Sequence, residues 1–265
     1  MSSSSRWSRA LVTGASSGIG DAFARQLAAA GTDLVVVARS TEKLEALATE
    51  LEGKHGVDVE VLTADLSDAS DVAKVEDRLR DVGRPIDLLI NNAGFGTSGQ
   101  FVELDVDWQD QEIRLNVLAL MRLTHAALNS MRGRGTGSVI NVSSTGSFQP
   151  LPTFATYAAT KAFVTSFSEA VHEEVRRDGL SVTALCPGFT RTEFADVSGS
   201  SHDAARLPSF LWMNADEVAR IGLAAAARGN PLCITGVQNR LGAALVGAMP
   251  RRLVRRIVGL GARLR

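Results

Sequence analysis

The sequence has 265 residues, of which 45% are hydrophobic and 22% charged, and its formal net charge is -1. This composition excludes a disordered chain, and the near-neutral charge argues against a general nucleic-acid binder. The two cysteines, Cys186 and Cys233, offer no disulfide framework, and no Cys/His spacing indicates a metal site. Residues 1–5 are polar without an apolar core, and no apolar run reaches the about 18 residues that a membrane span needs. We therefore expect a cytoplasmic protein.

Short β-branched runs alternate with longer helical stretches along the chain. A strand at 10–12 precedes glycines and a helix at 19–30, and a strand at 34–37 precedes a helix at 41–52. Further strands are predicted at 57–63, 86–90, 138–142 and 181–185, and further helices include 108–131 and 154–177. Apolar strands separated by helices predict a parallel sheet covered on both faces. We predict an α/β fold with one doubly wound domain over residues 1–265, in which residues 1–7 are flexible.

The first predicted strand runs into a glycine-rich turn, Thr13-Gly14-Ala15-Ser16-Ser17-Gly18-Ile19-Gly20. Glycines allow a tight turn and let backbone amides approach a pyrophosphate at the next helix N-terminus. The position of the turn, between a buried strand and a helix, supports nucleotide binding. Its spacing differs from the GxGxxG fingerprint, because three residues separate the first two glycines.

The only tyrosine, Tyr157, stands four residues before Lys161, a spacing that stacks two side chains on one face of a helix. A phenol has a pKa of about 10, and an ammonium about 4 Å away stabilises the phenolate by roughly 4 kcal/mol. We therefore predict that Lys161 lowers the pKa of Tyr157 by up to about three units. Such a tyrosine exchanges a proton with a carbonyl or alcohol oxygen near pH 7. Taken alone, the pair could also be an aromatic residue beside a solvated lysine.

Five motifs occur in one order: Thr13-Gly14-xxx-Gly18-Ile19-Gly20, Asn91-Asn92-Ala93-Gly94, a serine at the end of the fifth strand, Tyr157-xxx-Lys161 and Pro187-Gly188. In this ordered set the chain resembles the short-chain dehydrogenase/reductase family over residues 8–235, which implies a Rossmann-like catalytic domain.

The resemblance also implies roles for single residues. Tyr157 matches the proton donor or acceptor, and Lys161 matches the residue that lowers its pKa and binds the nicotinamide ribose. Ser144 matches the serine that binds the substrate oxygen; Ser143 is the alternative, but adjacent side chains on a strand face opposite ways. Asn116 matches the helix asparagine that holds a water in a proton relay ending at the lysine.

A dinucleotide site follows from the same resemblance. Its predicted residues are Gly14, Ser16, Ser17, Gly18, Ile19, Gly20, Arg39, Asp65, Asn92, Ala93, Gly94, Tyr157, Lys161, Pro187, Gly188, Thr190 and Thr192. The second strand ends at Ala38-Arg39, where NAD sites of this type place an acidic residue. A guanidinium holds a 2′-phosphate by charge-assisted hydrogen bonds, so we predict NADP(H); a surface arginine with mixed cofactor use is the alternative. Asp65 either lies near the adenine ring or begins a helix.

Substrate contacts are expected from loops beyond the carboxyl ends of the strands. Phe95, the stretch 148–154 and the segment 189–213 supply apolar side chains, and the polar middle of 190–213 is typical of a lid. Together they favour a lipophilic carbonyl or alcohol, although any one aromatic could be core packing. We predict an NADP(H)-dependent carbonyl reductase or alcohol dehydrogenase. The alternatives are an epimerase or dehydratase of the extended relatives and a non-catalytic NADP(H)-binding regulator.

Residues 250–265 form a basic amphipathic helix pattern, with arginines on one side and Leu253, Val254, Ile257, Val258 and Leu264 on the other. We favour docking of this helix on its own fold or on a subunit over contact with a membrane surface. We expect a homodimer or homotetramer and no nucleic-acid partner.

Overall fold

A parallel sheet of seven strands forms the centre of the chain in a computed structural model, which describes residues 6–194, 198–199 and 208–263. The strands are β1 (Arg9–Thr13), β2 (Asp33–Ala38), β3 (Val59–Thr63), β4 (Leu88–Asn91), β5 (Gly137–Val142), β6 (Leu180–Cys186) and β9 (Leu232–Ile234), in the order β3-β2-β1-β4-β5-β6-β9. Two short strands, β7 (Thr190–Arg191) and β8 (Met213–Asn214), pair separately. The chain order reverses between β1 and β4, the point at which doubly wound sheets open a ligand crevice.

Helices cover both faces of this sheet. They are α1 (Gly18–Ala29), α2 (Thr41–His55), α3 (Ala69–Arg80), α4 (Val106–Ile113), α5 (Leu120–Arg132), α6 (Ala155–Val175), α7 (Ala215–Ala227), α8 (Val237–Ala248) and α9 (Arg251–Arg263). One buried apolar cluster joins the sheet to α1, α2 and α7, and a second joins it to α3 and α5. The predicted doubly wound α/β fold is confirmed.

The inner strands supply both apolar clusters. In β2, Leu34 and Val36 belong to one cluster and Val35 and Val37 to the other, since successive side chains of a strand point to opposite faces. All four side chains are fully buried. A strand between two helical layers is therefore apolar at every position rather than at alternate ones.

A buried polar network joins β4, β5, α5 and α6. The side-chain amide of Asn91 donates to Asn141 Oδ1 (2.9 Å) and to Thr124 Oγ1 (3.0 Å). The Asn141 amide donates to Ser168 Oγ (2.9 Å), which donates to Val164 O (2.7 Å) within α6. Buried polar groups that bond to one another are costly to misalign, so this network fixes how α6 lies on the sheet.

The predicted helix 108–131 is divided in the structure. α4 ends at Ile113, residues Arg114–Ala119 form a π-helical turn, and α5 begins at Leu120. Such turns are frequent at functional sites, and this one contains Asn116.

Three predicted segments extend past the described residues. Residues 1–5 of the predicted flexible segment lie outside them, whereas Trp7 is buried and its carbonyl accepts from Thr32 Oγ1 (3.0 Å). Residues 195–197 and 200–207 of the predicted lid, and 264–265 of the predicted C-terminal helix, also lie outside. Within the described ranges, no helix is long and apolar enough to cross a membrane.

Candidate active site

A cleft of about 1070 Å³ opens at the carboxyl ends of β1, β2, β4, β5 and β6. This volume is slightly above the about 300–1,000 Å³ typical of small-molecule sites. All of the predicted site residues line this cleft except Gly20 and Asn116. The structure thus brings together residues from distant parts of the sequence.

The glycine turn after β1 forms one wall of the cleft. Gly14 has φ +65°, a left-handed conformation that favours glycine, and a Cβ there would stand 2.8 Å from Asn92 Nδ2. Ser17, the N-cap of α1, makes no side-chain capping hydrogen bond. The first amides of α1 therefore have no side-chain cap and suit a phosphate. Gly20 lies beneath the turn instead, where a Cβ would overlap the Gly14 carbonyl oxygen.

The segment after β4 is hydrogen-bonded to the glycine turn. Asn92 Nδ2 donates to the carbonyl oxygens of Thr13 (3.0 Å) and Gly14 (3.3 Å). In return, Thr13 Oγ1 accepts from the backbone amides of Asn92 and Ala93, both at 3.0 Å. The predicted cofactor residues Asn92 and Ala93 therefore hold the turn in shape as well as lining the cleft.

Two cations stand where β2 ends. Arg39 is exposed and forms no ion pair with any residue in the described ranges. Lys43, which the sequence analysis missed, lines the cleft from the first turns of α2 and pairs with Glu193 at 3.9 Å. Asp65 lines the same cleft, and its Oδ1 accepts from the amide (2.9 Å) and hydroxyl (2.7 Å) of Ser67. Asp65 thus orders the turn before α3 while facing the cleft.

The segment after β6 approaches the glycine turn from the other side. Pro187, Gly188, Thr190 and Thr192 all line the cleft. A Cβ on Gly18 would stand 3.0 Å from Thr192 Cγ2, so the two segments are in close contact. Thr190 Oγ1 donates to Gly188 O (3.1 Å), which fixes the bend between β6 and β7.

Tyr157 and Ser144 both line the cleft, and hydrogen bonding to Ser144 acts to lower the pKa of Tyr157. Ser144 Oγ also accepts from the amide of Gly146 (3.0 Å), which holds it at the start of a 3-10 turn. Ser143 faces away: its Oγ donates to Lys161 O (2.8 Å) and bonds to Thr165 Oγ1 (2.7 Å) in α6. The two serines therefore have different surroundings, as predicted, although both follow the end of β5 at Val142 and strand alternation is not the cause.

The pKa values of Tyr157 and Lys161 are set by burial. Burial raises the pKa of Tyr157 to about 12 and lowers the pKa of Lys161 to about 8, because desolvation disfavours the charged form of each. Lys161 Nζ lies 5.8 Å from the Tyr157 ring centroid and donates to Val142 O (2.9 Å). The prediction that Lys161 lowers the pKa of Tyr157 below 10 is therefore wrong for this structure. That prediction omitted desolvation, which is the largest influence on the pKa of Tyr157 here.

Asn116 lies behind the cleft wall, near Lys161. Its Nδ2 donates to Phe95 O (2.8 Å) and Thr160 Oγ1 (3.2 Å), and its Oδ1 accepts from Phe95 N (3.2 Å). A Cβ on Gly94 would stand 2.8 Å from Asn116 Oδ1 and 3.4 Å from Lys161 Nζ, so Gly94 lies between them. The role of Asn116 in a proton relay stays a prediction.

Glu112 is a buried carboxyl group that the sequence analysis missed. Its Oε2 accepts from the amide (3.0 Å) and hydroxyl (2.7 Å) of Thr97, and its Oε1 has no hydrogen-bond partner among the described residues. Burial raises the pKa of Glu112, and its negative charge raises the pKa values of Tyr157 and Lys161. A glutamate in a polar helix carries no sequence signal that distinguishes this position from a solvated one.

The part of the cleft around Tyr157 is largely aromatic and aliphatic. The larger apolar residues that line the cleft as a whole include Phe95, Trp108, Leu115, Leu151, Phe154, Phe189, Phe194, Trp212 and Val258. The Phe194 ring centroid lies 5.3 Å from that of Tyr157, and Phe95 stacks on Trp108 at 6.1 Å. Val258 belongs to α9, so the C-terminal helix contributes to the cleft wall.

Comparison with known proteins gives the chain a family. A sequence model described as short chain dehydrogenase matches residues 8–202. A very-long-chain 3-oxoacyl-CoA reductase from Anas platyrhynchos is 34% identical over 200 residues, which cover 73% of this chain and 63% of that protein. The chain thus spans less than two thirds of that relative's length.

Solved structures agree with this match. A short-chain dehydrogenase from Sphingobium yanoikuyae in complex with NADPH has a TM-score of 0.82 and 38% identity, covering 91% of this chain and 96% of that one. A bulky-bulky ketone specific alcohol dehydrogenase from Comamonas testosteroni has a TM-score of 0.78 and 33% identity, covering 93% and 96%. With the ordered motifs gathered in one cleft, these matches show that the chain belongs to the short-chain dehydrogenase family of NAD(P)(H)-dependent oxidoreductases.

Proposed function

We propose that this chain is an NADP(H)-dependent oxidoreductase that interconverts a carbonyl and an alcohol on a lipophilic small molecule. One observation carries the proposal: Tyr157, Ser144 and Lys161 line one cleft together with a dinucleotide-type turn and a group of aromatic side chains. We call the part lined by the glycine turn, Arg39 and Lys43 the polar half, and the part lined by the aromatic rings beside Tyr157 the apolar half. A carbonyl that enters the apolar half meets two hydroxyl donors there.

The polar half fits a dinucleotide. The glycine turn and the uncapped N-terminus of α1 suit its pyrophosphate, and Arg39 with Lys43 suits a 2′-phosphate. When bound, NADP(H) supplies the hydride for reduction or accepts it in oxidation. The preference for NADP(H) over NAD(H) is supported by the absence of an acidic residue at Ala38 and by the NADPH bound to the Sphingobium relative.

Ser144 and Tyr157 would hold the substrate oxygen. Because the pKa of Tyr157 is raised to about 12, its hydroxyl is protonated at neutral pH and is available as the acid for carbonyl reduction. Lys161, with a pKa of about 8, carries a proton at pH 7 and stabilises the negative charge that develops on Tyr157 as the proton leaves. In the oxidative direction the same tyrosine accepts the proton from the alcohol.

The apolar half supports a lipophilic substrate. Aromatic side chains surround Tyr157, and two of the relatives are named for a bulky ketone and a very-long-chain 3-oxoacyl substrate. An epimerase or dehydratase is disfavoured by the three residues between Gly14 and Gly18, and a non-catalytic regulator by the joint presence of Ser144, Tyr157 and Lys161.

Oxidation of NADPH and NADH should be followed with ketones, aldehydes and 3-oxoacyl thioesters of graded length. We expect turnover with NADPH that rises with the apolar size of the carbonyl substrate, and loss of turnover in Tyr157→Phe with cofactor binding retained. Cofactor binding without turnover on any of these carbonyls would favour the regulator. Cytoplasmic location and a homodimer or homotetramer stay predictions, to be measured by cell fractionation and light scattering.

A further inference from the structure

We propose that helix α9 docks on an anionic lipid surface and thereby holds the mouth of the active-site cleft against that surface. The inference rests on the charge, the exposed apolar side chains and the position of this helix.

All charged side chains in the C-terminal part of the chain are arginines. Residues 218–265 contain nine arginines and no aspartate, glutamate or lysine, although the whole chain has a net charge of -1. In α9, Arg251, Arg252, Arg255 and Arg256 are exposed, and none forms an ion pair with a described residue. Arg252, Arg255 and Arg256 together line a surface recess. Their guanidinium groups are therefore free for an anionic partner.

The same helix exposes an aliphatic stripe. Leu253, Ile257 and Leu260 are 45%, 52% and 62% exposed, and their i, i+4, i+7 spacing puts them on one side of the helix. On α8, Val237, Leu241 and Leu245 form a second exposed stripe, each at least 60% exposed. Large apolar side chains at this density are typical of a surface that another apolar phase covers.

A different edge of α9 packs on the chain itself. Val254 is 4% exposed and Val258 lines the cleft. The edge of α9 that contains Val254 therefore docks on the chain's own fold, as predicted. Leu253, Ile257 and Leu260 remain exposed. Because a helix is about 10 Å across, a partner on the exposed stripe would lie next to the cleft wall.

Of the possible partners, anionic lipid matches both the unpaired arginines and the exposed aliphatic stripe of α9. A second copy of the chain meeting this face by a twofold axis would oppose arginines with arginines. Nucleic acid would attract the arginines but offers no apolar phase for the aliphatic stripe. An anionic leaflet offers headgroup phosphates to the arginines and acyl chains to Leu253 and Ile257. A lipophilic substrate dissolved there would reach the cleft without crossing bulk water.

Flotation of the full-length protein with vesicles tests the proposal without use of enzyme activity. We expect binding to vesicles containing phosphatidylglycerol, weaker binding at higher salt, and little binding to pure phosphatidylcholine. Each lost arginine should lower the affinity for anionic vesicles about fivefold. The double variant Arg252→Glu/Arg256→Glu should therefore lower it by at least about 25-fold. Leu253→Ser/Ile257→Ser should also weaken it, with an unchanged Tm because both side chains are exposed.

The matched control is Arg6→Glu/Arg177→Glu, which changes net charge equally at two exposed arginines near the amino ends of β1 and β6. It should bind vesicles as the wild type does. Three results would overturn the proposal: no binding to anionic vesicles at low salt, equal weakening by the control, or a Leu253→Ser/Ile257→Ser variant that loses oligomer mass and keeps vesicle affinity.

Discussion

Replacing Arg39 with leucine tests how the chain selects its cofactor. Arg39 stands where an acidic residue would bind ribose hydroxyls, and a charge-assisted hydrogen-bonded pair contributes about 1.5–3 kcal/mol. Arg39 is exposed, and Lys43 lines the same cleft with only a loose 3.9 Å pair to Glu193. Because Lys43 remains to face the phosphate, we expect the lower end of the range. Arg39→Leu should weaken NADPH about tenfold and leave NADH nearly unchanged.

Fluorescence titration with both cofactors at low and high salt measures this effect. The wild-type preference for NADPH should shrink as salt rises, since exposed charges are screened. Lys43→Leu should weaken NADPH binding more in the Arg39→Leu background than in the wild type, because neither cation then remains to face the phosphate. Arg177→Leu, at an exposed arginine beyond the far end of α6, is the matched control. Equal wild-type affinities for NADH and NADPH, or equal weakening of both by Arg39→Leu, would refute the assignment.

Tyr157→Phe should keep the fold and lower kcat by at least about a hundredfold, the usual span of acid–base catalysis; near wild-type turnover would remove Tyr157 from the mechanism. Glu112→Gln removes a buried acid whose pKa is raised above 4.5 by burial. The native state then holds this proton more tightly than the unfolded state, so the wild type loses stability as pH rises from 4.5 through the higher native pKa. The variant should escape that loss, and its Tm relative to that of the wild type should rise as the pH increases above 4.5; parallel Tm profiles would show that Glu112 is not so perturbed. Gly20→Ala should abolish cofactor binding because its methyl group would overlap the Gly14 carbonyl oxygen, whereas Gly53→Ala, with open space around it, should bind normally. Retained binding by Gly20→Ala would show that the turn tolerates rearrangement.

The strands were predictable because burial between two helical layers leaves an apolar run at every position. The strand β9 was not predicted, since Leu232–Ile234 has only three residues and all are partly exposed. The π-helical turn at Arg114–Ala119 also escaped prediction. Its register depends on Asn116 bonding to the backbone of Phe95 and to Thr160, contacts that join distant parts of the sequence.

The candidate site was predictable where residue type and order decide it, as for Ser144 and Tyr157. It was not predictable where burial decides it. The pKa of Tyr157 is raised rather than lowered because the phenol is desolvated, and Glu112 matters only because its helix is covered by the segment containing Thr97. Lys43 was missed because a lysine in the first turns of an amphipathic helix is usually solvated.

The buried network of Asn91, Asn141 and Ser168 has a consequence for the accuracy of catalysis. On α6, Ser168 lies seven residues after Lys161 and eleven after Tyr157, distances of about 10 and 16 Å along the axis. A slip of α6 by one residue would move the Tyr157 hydroxyl about 1.5 Å along the axis and turn it by about 100°, and it would break the bond between Asn141 and Ser168. The position of the reacting hydroxyl is thus set by hydrogen bonds between α6 and the interior of the sheet. Substitutions on the solvent side of α6 leave these hydrogen bonds in place. The loss of Asn91, Asn141 or Ser168 would instead slow the reaction, although none of these residues contacts a ligand.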